Sequence, residues 1–261
     1  MLNCSSRFFH ILCIILLSLM RASKTEILSI LKSFSDKHNY FTLNQIRKHF
    51  ASLELHYSDI TVKKYLELLK SQKQIFSAGR GCYSTIPNEI ILNDEELDHL
   101  GKLIKDKFPF LEYSLWSTKI ISFAFHHLQN KFFTFIYSDK DSLIYLRDFL
   151  TEQNYSIYLN PSKSDFDKNM VLKNGSLILR SSITRTKNVN YTSSIEKILI
   201  DLFIEKDRLG LIDASEYGRV FENIINSYRI NISSLLDYAE RRKILSKTKL
   251  LITKYTNATF D

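Results

Sequence analysis

The sequence predicts an α+β protein in two parts, and three observations carry that prediction. Between Ser23 and Ser84, three helical segments run into a short strand–turn–strand. From Phe110 onward, apolar runs of strand length alternate with segments of helical periodicity, the pattern of an α/β domain. The last third carries helical spacing alone. The expected architecture is an N-terminal helical module with a hairpin, then an α/β domain with a small mixed sheet and a C-terminal helical cap.

At 261 residues the chain has room for two cores. A hydrophobic share of 44% and a charged share of 25% are ordinary globular values. Six Gly and three Pro leave little for long flexible linkers. The cysteines are Cys4, Cys13 and Cys82; their spacing does not suit zinc, and an odd number gives no disulfide framework. A reducing cytoplasm is the expected compartment. Residues 1–19 fit this picture least. Phe8 to Leu19 is a largely apolar run, too short for a membrane span of about 20 residues. As a signal peptide it has only Arg7 before it, and Met20 stands badly at the cut after Ala22. Met20 is the expected start, with residues 1–19 a dispensable leader; a short membrane anchor is the alternative.

Residues 20–86 form the first expected domain. Ser23-Lys24-Thr25-Glu26 and Thr42-Leu43-Asn44-Gln45 are both capping boxes, in which a hydroxyl and a later side chain satisfy orphan helix N–H groups. They lead into Ile27, Leu28 and Leu31, and into Leu43, Ile46 and Phe50, at helical spacing. Ser58 is a good N-cap for a third helix carrying Val62, Tyr65, Leu66 and Leu69. Gln74 to Ser84 then reads as strand, Gly79-Arg80-Gly81 turn and strand. Three helices and a hairpin in this order predict a winged helix-turn-helix. Charge agrees: from Met20 to Ile86 there are 11 Lys and Arg against five Asp and Glu, so this quarter carries +6 of the chain's +8. A partner bearing phosphates explains that asymmetry, with a solvated basic face as the plainer account.

Residues 87–109 read as a helical connector. Asp94, Glu95 and Glu96 at the start and Lys102, Lys105 and Lys107 near the end suit the helix dipole. Residues 110–261 form the second expected domain. Thr118 to Gln129 is a helical candidate, Phe132 to Tyr137 a strand, Lys140 to Gln153 a helix, and Tyr155 to Leu159 a strand ended by Asn160-Pro161. Asn174-Gly175 marks a turn before a strand from Ser176 to Arg180, a hairpin-like return after a βαβ crossover. Three helices follow: one opened by Ser193-Ser194-Ile195-Glu196, then Ala214 to Tyr228, then Asn231 to Lys243.

The residues point to no catalytic constellation, metal or cofactor. His126-His127 are adjacent, so on a helix they point about 100° apart and do not chelate one ion. Gly175-Ser176 is followed through Tyr191 by no Asp or Glu, so the metal-binding acids of a nucleotidyltransferase are missing. Phosphate-binding glycine loops and nucleophile elbows are not found.

Several segments, taken in order, resemble the AbiEi-like antitoxins of AbiE-type (type IV) toxin–antitoxin systems, an abortive-infection defence. They are Trp116-Ser117-Thr118, Phe132 to Ile136, Tyr158-Leu159-Asn160-Pro161, Ile195 to Phe203, Val220-Phe221-Glu222-Asn223 and Leu236 to Arg242. The resemblance implies a non-enzymatic antitoxin. Its winged helix would bind double-stranded DNA at its own promoter, and its second domain would oppose a nucleotidyltransferase toxin. A stand-alone regulator whose second domain senses a ligand or dimerises is the alternative, and an enzyme with an unrecognised site is a third.

The residues expected at DNA are Thr61, Lys63 and Lys64 on the third helix and Arg80 at the turn. In the second domain, Ile195, Ile198, Leu199 and Leu202 are expected in the core, with Glu196, Lys197 and Asp201 solvated. Arg241 and Arg242 end a helix, where cations suit the dipole. The sharper expectation is that Arg180, Arg185, Arg241 and Arg242 converge on one electropositive face for an acidic partner or RNA.

Overall fold

The structure is a computed structural model, and it describes residues 24–167, 171–182, 188–189, 191–256 and 258–260. The chain divides into two compact units, residues 1–87 together with 252–261, and residues 88–251.

The first unit opens with α1 (Lys24–Ser35), β1 (Tyr40–Thr42), α2 (Leu43–Ser52) and α3 (Asp59–Ser71). A hairpin of β2 (Phe76–Ser77) and β3 (Cys82–Ser84) follows. Ser23, which starts the first expected capping box, lies outside the described residues. The second box forms as expected. Thr42 Oγ1 accepts from the Gln45 N–H at 3.2 Å, and Gln45 Oε1 accepts from the Thr42 N–H at 3.0 Å. Thr42 also ends β1, a strand with no counterpart in the sequence reading. Its three residues are all buried, and it pairs antiparallel with β3, so the small sheet runs β1-β3-β2. The helices meet through Ile27, Leu31 and Phe34 of α1, Ile46 and Phe50 of α2, and Val62, Leu66 and Leu69 of α3. Phe41, Ile75 and Tyr83 from the sheet side close this core.

The second unit is mixed α and β. Its helix α4 (Glu95–Lys107) is capped by Asp94, whose Oδ1 accepts from the N–H groups of Glu96 and Leu97. This is the segment expected as a connector. It belongs to the unit's own core: Leu97, Leu100 and Ile104 are buried, and Tyr113 Oη donates to the Gly101 carbonyl at 2.6 Å. The strands are β4 (Tyr113–Ser117), β5 (Thr134–Ser138), β6 (Ile157–Leu159), β7 (Leu177–Ser181), β8 (Asn188–Val189) and β9 (Thr192–Ser193). They form one mixed sheet in the order β6-β7-β5-β4-β9-β8. Between them, α5 (Leu143–Glu152) follows β5, and the short α6 (Lys163–Asp167) follows β6.

Two expectations change here. Residues 118–124 form a 3-10 helix, and residues 125–133 are irregular, so no α-helix spans 118–129. The return from β6 to β7 is not a hairpin, since these strands are parallel, with Ile157 opposite Leu177. The intervening residues 160–176, which include α6, give the chain the length to come back and run the same way.

Four helices complete the chain: α7 (Ile195–Leu209), α8 (Ala214–Ser227), α9 (Ile232–Arg241) and α10 (Leu245–Tyr255). The cap of α7 is Ser194, one residue later than the expected box. Glu196 instead accepts the N–H of Asn231 at 2.8 Å, tying α7 to the start of α9. The expected core of α7 holds, with Ile195, Ile198, Leu199 and Leu202 all buried. The sequence reading had no α10; its Thr248 and Thr253 are β-branched, and it has no acid in its first turn to mark a start. No helix among the described residues is long and apolar enough to cross a membrane; the leader of residues 1–19 lies outside them.

Candidate functional site

On α3, burial divides the helix cleanly. Val62, Leu66 and Leu69 face the core, while Ile60, Lys63, Lys64 and Glu67 are exposed. These four follow i, i+3, i+4, i+7 spacing and so share one face. Ser58 caps the helix by accepting from the Thr61 N–H, and its hydroxyl lies 3.0 Å from Thr61 Oγ1. Thr61 is therefore half-buried and engaged in the cap, whereas Lys63 and Lys64 stand in solvent. The first turn is held from the other side by Arg47 of α2, whose Nε donates to Asp59 Oδ1 at 2.7 Å and whose Nη2 meets Oδ2. At the hairpin, Gly79 and Gly81 take φ of 114° and 69°, values that favour glycine, and they place the exposed Arg80 between them. The exposure of Ile60 was not expected, because an isoleucine in an amphipathic helix reads as core. The signal that could have found it is its helical register with Lys64 and Glu67.

In the second unit, the arginines do not form an exposed face. Arg180 and Arg242 are buried, Arg241 is exposed, and Arg185 lies outside the described residues. Arg180 makes a two-pronged pair with Glu205, Nε to Oε1 at 3.0 Å and Nη2 to Oε2 at 2.5 Å, and its Nη1 donates to the Pro161 carbonyl. Arg242 donates from Nη1 to Asp201 Oδ1 at 2.6 Å and to Tyr238 Oη at 2.9 Å. Both guanidiniums are thus spent inside the protein, so Arg180 and Arg242 do not join Arg241 in one electropositive face.

The same network corrects the expectation that Lys197 and Asp201 are solvated. They are 3% and 0% exposed. Lys197 Nζ donates to Asp201 Oδ2 at 2.5 Å and sits 3.7 Å from the centre of the Tyr137 ring. Tyr238 Oη donates to Asp201 Oδ1 at 2.9 Å. Lys197, Asp201 and Glu205 recur every four residues on α7, one stripe of that helix. Tyr137 and Arg180 are opposed partners across β5 and β7, so they share one face of the sheet. A charged stripe on the helix meets a polar pair on the strands, which is why both sets are buried. Burial pushes the Lys197 ammonium down, against the opposing pull of Asp201, and raises the Glu205 carboxyl, against Arg180. The Tyr137 and Tyr238 hydroxyls are held well above their ordinary value, first by burial and then by Asp201.

A second buried acid organises the irregular segment after the 3-10 helix. Glu216 of α8 is 4% exposed, and its Oε1 accepts the N–H groups of His126 and His127 at 2.7 and 3.2 Å. Asn223, two turns on, donates to the Ala124 carbonyl at 2.8 Å. Both histidine rings are exposed, and neither residue is on an α-helix. Across the sheet from α7, a cleft of about 510 Å³ opens beside the start of α4, where Lys119 Nζ meets Glu96 at 2.7 Å and Asp94 at 3.8 Å. Among the described residues no three His, Cys, Asp or Glu side chains are grouped to hold a metal ion.

These features define a mixed α+β protein with a basic helical unit and a sheet-based second unit built around buried ion pairs. A family model described as a family of unknown function (DUF6577) matches residues 61–258, and the chain belongs to that family. No curated protein matches the sequence.

Proposed function

We propose that residues 20–86 are a winged helix that binds double-stranded DNA, and that the protein is an antitoxin-type regulator acting on its own promoter in the cytoplasm. The observation that carries this reading is the exposed face of α3 with Lys63 and Lys64, together with an exposed, glycine-flanked Arg80 at the hairpin turn, in a segment of net +6. The order helix, strand, helix, helix, strand, strand supports it, with α3 as the helix that enters the major groove and the hairpin as the wing. In the resemblance to AbiEi-like antitoxins, the second unit opposes a nucleotidyltransferase toxin without chemistry of its own.

The first test is a gel-shift salt series with DNA from upstream of the gene. Changing Lys63, Lys64 and Arg80 together to Gln should weaken binding and flatten the log–log salt slope by about 0.9 for each phosphate no longer neutralised. Unchanged affinity and slope would remove the DNA assignment. Co-expression with a neighbouring nucleotidyltransferase gene tests the other half: growth arrest that persists with the folded protein present would rule out an antitoxin.

The cleft beside α4 favours one second reading, a stand-alone regulator whose second unit senses a small molecule. Its volume lies in the range of small-molecule sites. That reading predicts operator affinity that changes with a metabolite and survives deletion of neighbouring genes.

A further inference from the structure

Ile60 is 82% exposed, and with Leu53 it is one of two large hydrophobic side chains that the first unit leaves in solvent among the described residues. Leu53 follows the end of α2, whereas Ile60 is the second residue of α3. The turn around it is fully committed. The Asp59 carboxylate is bound by Arg47, and the Thr61 hydroxyl and N–H are engaged with Ser58. Ile60 is the side chain of that turn that reaches outward, one turn before Lys63 and Lys64 on the same face. Further along, Glu67 is paired with Lys70 at 3.0 Å, so the positive charge of this face is concentrated next to Ile60.

We propose that Ile60 reads thymine. The inference rests on the DNA-binding reading given above and names what its central helix recognises. An apolar side chain flanked by two lysines fits a surface that is anionic yet carries an apolar spot. In the major groove, the thymine C5-methyl group is the apolar feature of a base edge. The first turn of a recognition helix is the part that reaches base edges. Lys63 and Lys64 then hold adjacent phosphates or guanine acceptors, and Ile60 supplies the contact that distinguishes one base from another. The partner is DNA and not RNA, because uracil lacks the methyl and the A-form major groove is too narrow for side chains to read.

The test uses the full chain and two versions of the DNA upstream of the gene, one amplified with thymine and one with uracil in its place. Uracil keeps the base pairing and removes only the methyl. Wild type should bind thymine DNA more tightly by roughly fourfold per contacted base, the weight of about one buried methyl. Ile60→Ala should bind both DNAs alike, at the affinity of wild type for uracil DNA, and Ile60→Val should keep part of the preference. Because the side chain is exposed, thermal melting of these variants should match wild type. Equal binding of both DNAs by wild type, or a preference that Ile60→Ala retains, would overturn the assignment while leaving DNA binding intact. A change in oligomeric state in Ile60→Ala, with the thymine preference kept, would assign Ile60 to a protein contact instead. Failure of wild type to bind either DNA at low salt would sink the DNA-binding reading, and the assignment of Ile60 with it.

Discussion

Lys197 and Asp201 stand one turn apart on α7, and losing one is not equivalent to losing the other. Asp201 accepts from Lys197, Tyr238 and Arg242 at once. Asp201→Asn therefore leaves two buried cations without their anion, and it should cost about 3–5 kcal/mol in urea unfolding. Lys197→Met keeps Arg242 and Tyr238 on the carboxylate and puts an apolar chain over the Tyr137 ring. It should cost under half as much, and equal losses would contradict this division of roles. Alkaline pH probes the same residues. Tyr113, Tyr137 and Tyr238 all have hydroxyls raised above their ordinary value near 10, chiefly by burial. The unfolded chain thus releases these protons first, so their contribution is complete below about pH 10 and is lost as pH rises further. Lys197 acts in the opposite sense. Its folded value is lowered, so the penalty of burying its charge is present at lower pH and eases as pH rises toward 10.5. Joined by Tyr83, whose hydroxyl is also raised by burial, these tyrosines outnumber Lys197 and predict a net loss of stability above pH 10. Tyrosinate absorbance should then rise for these tyrosines only together with the loss of helical circular dichroism. Their ionisation in a still-folded protein would contradict the assignment.

The irregular segment after the 3-10 helix depends on a carboxylate from α8. Glu216→Ala strips the acceptor from the N–H groups of His126 and His127, and hydrogen exchange at those two amides should accelerate at least about tenfold, the equivalent of one missing hydrogen bond of about 1.4 kcal/mol. Glu216→Gln retains an oxygen at the same place and should keep exchange slow. Fast exchange in both variants would mean that charge, not the acceptor, holds the segment. This contact also marks where the sequence stopped being readable. The core stripe of α7 was legible because Ile195, Ile198, Leu199 and Leu202 repeat with the helical period. The charges between them were not, because Lys197 and Asp201 at helical spacing read as a solvated pair. Only Tyr137 and Arg180, brought in from separate strands, reveal their burial. At α3 the balance was similar. The exposure of Lys63 and Lys64 was legible from charge and register, while that of Ile60 was hidden by its own hydrophobicity. β1 escaped because three residues carry no usable period and Thr42 already had a role as a cap.

The first unit takes in residues from both ends of the sequence, residues 1–87 and 252–261. Ile252 and Ala258 are fully buried. Truncation after Leu251 should therefore lower the melting point of the first unit, reported by exchange at the amides of Ile46, Val62 and Leu66. The amides of β5 and β7 in the second unit should be affected less. Equal loss in both units, or none in the first, would show that the last residues serve a different role. The same division has a consequence during synthesis. The ribosome makes the first 87 residues early, but their unit lacks its final segment until residues 252–261 have emerged. The second unit is complete at Leu251, and residues 252–261 follow it after about 0.5–2 s at the ordinary pace of about 5–20 residues per second, so the second unit has its full sequence before the first does. A released chain that stops at Leu251 should then hold a protease-resistant second unit and a first unit that is still open to cleavage. DNA binding, on the reading proposed above, would become available only once residues 252–261 have been made, so a copy that lacks them could not occupy the promoter of the gene that is still being translated.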